Sequence, residues 1–464
     1  MSLRLPSSLC KTITMTSSVL DLIGKTPIVR LTKFDTNGCE LFVKLESQNP
    51  SGSIKDRIAL AMIADAEARG ALRPGGTIIE ATAGNTGLGL ALVAALKGYK
   101  LLLVIPDKMS QEKVRQVRAL GAEVVITRSD VGRGHPAYYQ DVAERLTRET
   151  PGAFYVNQFG NPANPRAHEE STGPEMWEQM NHSIDAVVCG VGSGGTMTGL
   201  GRFFARVSPT TEMVLGDPVG SILDHYIKTG EVLKESGSWL VEGMGEDFIP
   251  PVSDLSYVKK SYAISDGESF EIARQVLRRE GILAGTSTGL LVAAALKYCK
   301  EQSTPKRVIT FVCDSGSRYL TKMFDDTWMR DQGLLAGPVH GDLRDIITQK
   351  VLVSVEPDDT LLIAYTRMRA HGVSQLPVLE NGELVGLIDE WDLLQAVTPN
   401  KANFAHLVRG VMTTTLETCD ASADTSALLP LFERNLVPII THNGKFEGLI
   451  TKIDYLNYLR RRNG

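Results

Sequence analysis

The chain has 464 residues, 43% of them hydrophobic and 22% charged, and a formal net charge of −5. That length exceeds what one hydrophobic core supports, roughly 250–300 residues, so two or more domains are expected. The slight acidic excess argues against a nucleic-acid partner, which needs a basic face. No apolar run approaches the ~20 residues that span a bilayer, so no membrane partner is expected.

The first residues, MSLRLPSSLCKTITM, lack the continuous apolar stretch of a signal peptide, and a cytoplasmic protein is expected. Cysteines 10, 39, 189, 299, 313 and 419 lie far apart, with no CxxC and no Cys/His cluster. Neither a metal site nor a disulfide framework is expected, and the cysteines read as small buried hydrophobes.

Residues 1–18 carry little pattern and read as an N-terminal extension. VLDLIGKTPIVRL (19–31) reads as a short helix, a turn and a strand. From about Leu41 strands and helices alternate. LFVKL precedes a helix over 58–69, TIIEA (77–81) one over 88–98, LLLVI (101–105) one over 111–120, and EVVIT (123–127) one over 138–148. The rhythm resumes with strands AVVCGVG (186–192) and MVLGD (213–217), helices over 269–280 and 290–302, and the strand RVITFVCD (307–314). Continuous apolar strands between amphipathic helices predict parallel sheets covered on both faces, in two α/β lobes with a cleft between them.

The pattern stops at GLLAGPVHG (333–341), read as a linker. Beyond it GELVGLIDEWDLL (382–394) and GKFEGLITKIDYL (444–456) repeat, aligning Gly386 with Gly448 and Asp392 with Asp454, each after a helix and a strand. Such a duplicated small α/β unit pairs to bury a shared face. The expected domains are 19–335, a linker over 336–345, and a smaller α/β module over 346–464.

Four stretches carry chemistry. NPSGSIKDR (49–57) sets Lys55 in the first turn of a helix behind a Gly-Ser turn, with Ser51 or Ser53 as the cap. TAGNTG (82–87) follows a strand and opens a helix, where backbone N–H groups favour an anion such as a carboxylate, and Asn85 adds an amide. GVGSGGTMTG (190–199) offers successive N–H groups with the hydroxyls of Ser193 and Thr196, a phosphate cradle with neither the dinucleotide nor the P-loop spacing. AGTSTG (284–289) begins another helix and presents Thr286, Ser287 and Thr288. Together they suit pyridoxal phosphate.

These motifs, with IGKTPIVRL, QFGNPANP (158–165) and VEGMGEDFIP (241–250), occur in the order of the fold-type II pyridoxal-phosphate enzymes, in the branch of cystathionine β-synthase and O-acetylserine sulfhydrylase. The resemblance covers about residues 19–335. It implies that Lys55 bonds to the cofactor aldehyde, Asn85 contacts its ring hydroxyl, Gly192, Ser193, Gly194, Gly195 and Thr196 hold its phosphate, and Ser287 meets the pyridine nitrogen. Thr82, Ala83, Thr86 and Gln158 would hold the substrate carboxylate, and Gly243 and Glu246 would line the mouth of the site.

The implied reaction condenses L-serine with L-homocysteine to L-cystathionine and water, with hydrogen sulfide from L-cysteine also open to the same chemistry. VEGMGEDFIP resembles the synthase. QFGNPANP, Phe159 and Ala83, in place of a serine common in that turn, leave O-acetylserine as the first substrate open.

The C-terminal repeat resembles a tandem CBS-domain (Bateman) module. By that resemblance Thr451 and Asp454 would hold the ribose of an adenosyl ligand, whereas the first copy has Asp389 at the hydroxyl position. A purely architectural role stays open beside it, as does an adenosyl-sensing protein with a decayed catalytic lobe. No haem is expected, since Cys10 has no partner nearby. A homo-oligomer, dimer or tetramer, is implied.

Overall fold

The computed structural model describes residues 15–82, 84–107, 111–132, 134–335, 340–347 and 353–462. The chain divides into two compact units, Met1–Phe324 and Asp325–Gly464.

The first unit holds two sheets. After β1 (Ile28–Leu31) and β2 (Glu40–Lys44) come α1 (Lys55–Ala68), β3 (Thr77–Ala81), α2 (Asn85–Lys97), β4 (Lys100–Pro106), α3 (Gln111–Ala119), β5 (Glu123–Thr127), α4 (Tyr139–Glu149) and β6 (Ala153–Tyr155). Strands β3 to β6 form a parallel sheet in the order β5-β4-β3-β6. Its helices α1 and α2 pack Ile58, Met62, Leu90 and Val93 into one core.

The chain then runs through α5 (Ala163–Ala167), a π-turn (His168–Thr172), α6 (Gly173–Gln179), β7 (Ala186–Cys189), α7 (Gly195–Val207), β8 (Glu212–Pro218), α8 (Leu223–Thr229), β9 (Val258–Ile264), α9 (Asp266–Glu280), α10 (Thr286–Lys300) and β10 (Arg307–Phe311). The six-stranded sheet has the order β1-β2-β10-β7-β8-β9, parallel except for β1 against β2. All four residues of β7 are buried, as a strand covered on both faces requires.

The two lobes and their rhythm were readable from the sequence. The short β6, the strand β9 and the α5–α6 segment were not, because none carries a long apolar period. The start of α1 also differs from expectation: the cap is Ile54, without a side-chain bond. Ser53 Oγ does accept the Lys55 N–H at 3.3 Å, while Ser51 Oγ is engaged by Asp56.

The second unit contains α11 (Asp326–Asp331), α12 (Leu361–His371), the antiparallel pair β11 (Gln375–Glu380) and β12 (Glu383–Asp389), and α13 (Glu390–Val397). It continues with β13 (Thr418–Asp420), α14 (Leu429–Glu433), β14 (Ile439–His442), β15 (Lys445–Leu449) and α15 (Lys452–Arg462). Each repeat encloses its own core, one around Leu361, Leu376 and Ile388, the other around Leu428, Ile440 and Ile450. Gly386 and Gly448 occupy matching strands, and Asp392 and Asp454 the first turns of matching helices.

Candidate active site

A cavity of about 650 Å³ lies in the first unit, lined from both of its sheets. Lys55, Thr82, Asn85, Thr86, Gln158, Gly192, Ser193, Gly194, Thr196, Gly243, Glu246 and Ser287 all line it. Gly195 is the first residue of α7, directly behind that wall, and Ala83 lies outside the described residues. The motifs separated by up to 232 positions in the chain thus meet at one place.

Three helices begin at this cavity. Helices α2, α7 and α10 start after Gly84, Gly194 and Gly285, with no side-chain cap and no acidic residue in the first turn. By contrast α9, away from the cavity, is capped by Ser265 and carries Asp266 and Glu268. Uncapped helix starts without acids leave N–H groups and positive dipole ends for exogenous anions. Gly194 sits at φ +87°, where only glycine turns the chain cheaply into α7.

Lys55 opens into the cavity, yet the protein around it strips away bulk water. Burial therefore holds its ammonium below the usual lysine range, against the opposing pull of Cys313 and Asp314. A lysine so placed carries a neutral, nucleophilic amine more readily than a surface one. Thr86 Oγ1 donates to Gln158 Oε1 at 2.7 Å, joining two of the expected carboxylate contacts.

Asn85 is held firmly. Its Oδ1 accepts from Arg318 at 2.6 Å and its Nδ2 donates to Asp314 Oδ2 at 2.8 Å, so one amide proton is left for a ligand. Tyr319 also donates to Asp314, at 2.7 Å. Sequence reasoning missed this Asp314–Arg318–Tyr319 bracket, which lies some 230 residues from Asn85 and carries no glycine-rich signal.

It also missed the rim cluster. Glu242 pairs with the buried Lys113 of α3 and with Lys322 at 2.6 Å, while Lys113 lies 5.2 Å from the centre of the Tyr319 ring. Burial alone would raise the Glu242 carboxyl, but the two lysines outweigh it and hold it below its usual range. Desolvation, then the charges of Asp247 and Asp217, pushes the half-buried Glu246 well above the usual carboxylate range. One cavity thus holds an ionised and a protonation-prone glutamate on the same loop.

The residues fit pyridoxal phosphate: a desolvated lysine, uncapped helix starts for two anions, and room for the cofactor with an amino acid. Among the described residues no group of His, Cys, Asp or Glu could hold a metal ion, and no helix is long and apolar enough to cross a membrane. Cys39, Cys189, Cys299 and Cys313 are buried and free, and Cys419 is half-buried and free; Cys10 lies outside the described residues.

In the second unit Thr451 and Asp454 bond to each other, the Thr451 N–H and hydroxyl both donating to Asp454 Oδ2, the first at 2.9 Å. Asp389 and Asp392 form the equivalent reciprocal cap on α13, at 2.8 and 3.0 Å. Both pairs are helix-opening capping boxes, which accounts for their spacing whether or not a ligand binds.

Comparison with known proteins agrees with this geometry. The pyridoxal-phosphate dependent enzyme family matches residues 19–314, and the CBS domain matches 343–399 and 408–461. Cystathionine beta-synthase of Dictyostelium discoideum is 36% identical over 462 residues, covering 96% of this chain and 92% of that one. Cysteine synthase 1 of Neurospora crassa is 41% identical over 324 residues, covering 68% of this chain and 86% of its own. The crystal structure of a hydrogen sulfide-producing enzyme from Fusobacterium nucleatum superposes with a TM-score of 0.62 at 38% identity, covering 66% of this chain and all of that one. The chain therefore belongs to the pyridoxal-phosphate dependent enzymes, in the cystathionine β-synthase family, with a C-terminal pair of CBS domains.

Proposed function

We propose that the first unit replaces the β-hydroxyl of L-serine by the sulfur of L-homocysteine, giving L-cystathionine and water. The observation that carries this reading is the desolvated Lys55 facing, across one cavity, three uncapped helix starts and the loop that bears Glu242 and Glu246. Bound pyridoxal phosphate would supply an electron sink next to the amino acid Cα.

Lys55 would hold the cofactor covalently at rest, Gly192 to Thr196 its phosphate, Asn85 its ring hydroxyl and Ser287 its pyridine nitrogen. Thr82, Ala83, Thr86 and Gln158 would orient the substrate carboxylate. Once free, Lys55 Nζ would take the Cα proton and return a proton to the departing β-hydroxyl, which leaves as water. Such positioned proton transfers contribute roughly 10²–10⁴-fold each. The thiol of the second substrate, entering past Gly243 and Glu246 at the mouth, would then form the Cβ–S bond, and its proton would pass to Lys55 Nζ and from there to Cα.

A second reading, O-acetylserine with sulfide, is favoured by Phe159 in the cavity wall and by the cysteine synthase relative. Hydrogen sulfide from L-cysteine would be a further output of the same site, a reading supported by the likeness to the hydrogen sulfide-producing Fusobacterium protein. The intact Lys55 and all three loops support an enzyme over a decayed, ligand-sensing lobe. We further read residues 19–335 as the catalytic domain and 346–464 as a regulatory module holding an adenosyl ligand at Thr451 and Asp454, in a cytoplasmic homo-oligomer.

The visible spectrum of the purified protein tests the reaction. A yellow band that moves to longer wavelength with L-serine and returns with homocysteine, yielding cystathionine, is the expected result, and Lys55→Ala should give neither shift nor product. A shift only with O-acetylserine, reversed by sulfide, would transfer the conclusion to the second reading.

A further inference from the structure

Behind the hydroxyls of the 192–196 loop stands a second row of side chains. Helix α7 lies close against α5 and the π-turn because Gly195 and Gly199, one helical turn apart, leave room. A Cβ on Gly195 would stand 1.8 Å from Asn164 Oδ1, and one on Gly199 2.2 Å from the Pro165 carbonyl oxygen and 2.8 Å from His168 Cβ. That approach brings Asn164 beside Ser193 and His168 beside Thr196.

Asn164 Nδ2 donates to Ser193 Oγ at 2.9 Å and to the Gln158 carbonyl at 2.8 Å. A carbonyl only accepts, so the amide orientation is fixed and both its protons are used. Ser193 therefore receives a proton from behind and keeps its own for the cavity.

His168 is buried, with Nε2 3.2 Å from Thr196 Oγ1 and Nδ1 2.9 Å from Thr172 Oγ1 across the π-turn. Burial, then the charges of Lys55 and Arg57, keep the imidazole neutral. A neutral ring has one proton and two arrangements. In one, Thr172 donates to Nδ1, Nε2–H donates to Thr196, and Thr196 turns its proton to the cavity. In the other, Thr196 spends its proton on Nε2 and shows lone pairs to the cavity. Only the first suits an anion.

We infer that His168 is a positioning residue in its Nε2–H form, with Thr172 donating to Nδ1, so that Thr196 donates its hydroxyl proton to the phosphate of the bound cofactor. The inference rests on the reading of residues 192–196 as the phosphate site. The π-turn earns its place here, since it sets Thr172 against Nδ1 while Nε2 reaches α7.

Nitrogen-15 NMR of the unmutated holoenzyme reads the tautomer directly, with His168 assigned by the signal lost in His168→Gln. Nε2–H is expected; Nδ1–H overturns the inference. Affinity for pyridoxal phosphate against pyridoxal, measured by fluorescence titration of the apoprotein, gives the second readout. Thr172→Val and His168→Leu should weaken the phosphorylated compound by about ten- to a hundredfold, as for a hydrogen bond to a charged group, with pyridoxal nearly unchanged. His168→Gln, which can still donate, should recover part of that loss. Equal losses for both compounds would reduce His168 to a structural role. If the unmutated protein itself shows no preference for the phosphorylated compound, the phosphate reading of the loop fails instead.

Discussion

Glu80, on β3 next to Ala81 of the cavity wall, is a buried carboxyl whose Oε2 has no partner. Burial pushes its pKa to about 8, from an ordinary value of 4.5, against the N–H groups of Gln158 and Asn157 that favour the anion. The folded form thus binds a proton more tightly than the unfolded one. Its stabilising contribution is complete below about pH 4.5 and is lost as pH rises through 8. Glu80→Gln, a permanent neutral isostere, should therefore lose less stability than the unmutated protein between pH 5 and pH 8 in urea unfolding. A parallel decline in both would exclude Glu80 as the group that titrates. No sequence pattern announces Glu80, because TIIEA reads as a strand whichever way its glutamate points.

At the scale of elements, α1 is anchored just beyond its functional lysine. Arg57 joins Glu46 at 2.8 Å and Glu175 of α6 at 2.7 Å, with its own side chain and that of Glu46 fully buried. Lys44 of β2 adds a contact to Glu175 at 3.1 Å. Removing one partner of such a network strands a buried charge, which costs about 3–5 kcal/mol. Arg57→Met should lower unfolding free energy by about that amount, and a loss under 1 kcal/mol would show that the network relaxes. The strand-to-helix loops at Lys55, Asn85 and Thr196 were legible because small residues after an apolar run mean a turn whose backbone must come close to something. The brackets behind them, Arg318 on Asn85 and His168 on Thr196, were not. They come from other stretches of the chain with ordinary composition, and only packing brings them to the site.

For the whole molecule, the repeat alignment of Asp392 with Asp454 correctly foretold equivalent positions, but the chemistry of the two copies differs. The first offers two carboxylates, Asp389 and Asp392, where the second offers a hydroxyl and one carboxylate. The first copy thus lacks the hydroxyl expected to meet a ribose, its two acids further oppose the phosphates of AMP and ATP, and burial already pushes Asp392 above its usual range. Calorimetry of the full chain with S-adenosylmethionine, AMP and ATP should thus find at most one site per chain, abolished by Asp454→Ala. Two sites would show that the first copy binds despite its acids, and no heat from any of the three would leave the module architectural.

The three glycine-started helices at the cavity have a consequence for handling the protein. An apoprotein with bare helix ends gathers whatever small anion the buffer provides, and each occupant that favours the folded chain stabilises it by mass action, about 2.7 kcal/mol at a hundred times its dissociation constant. Inorganic phosphate should accordingly raise the melting temperature of the apoprotein while slowing its reconstitution with pyridoxal phosphate, since both compete for the start of α7. Storage buffer and reconstitution buffer then call for opposite choices of anion.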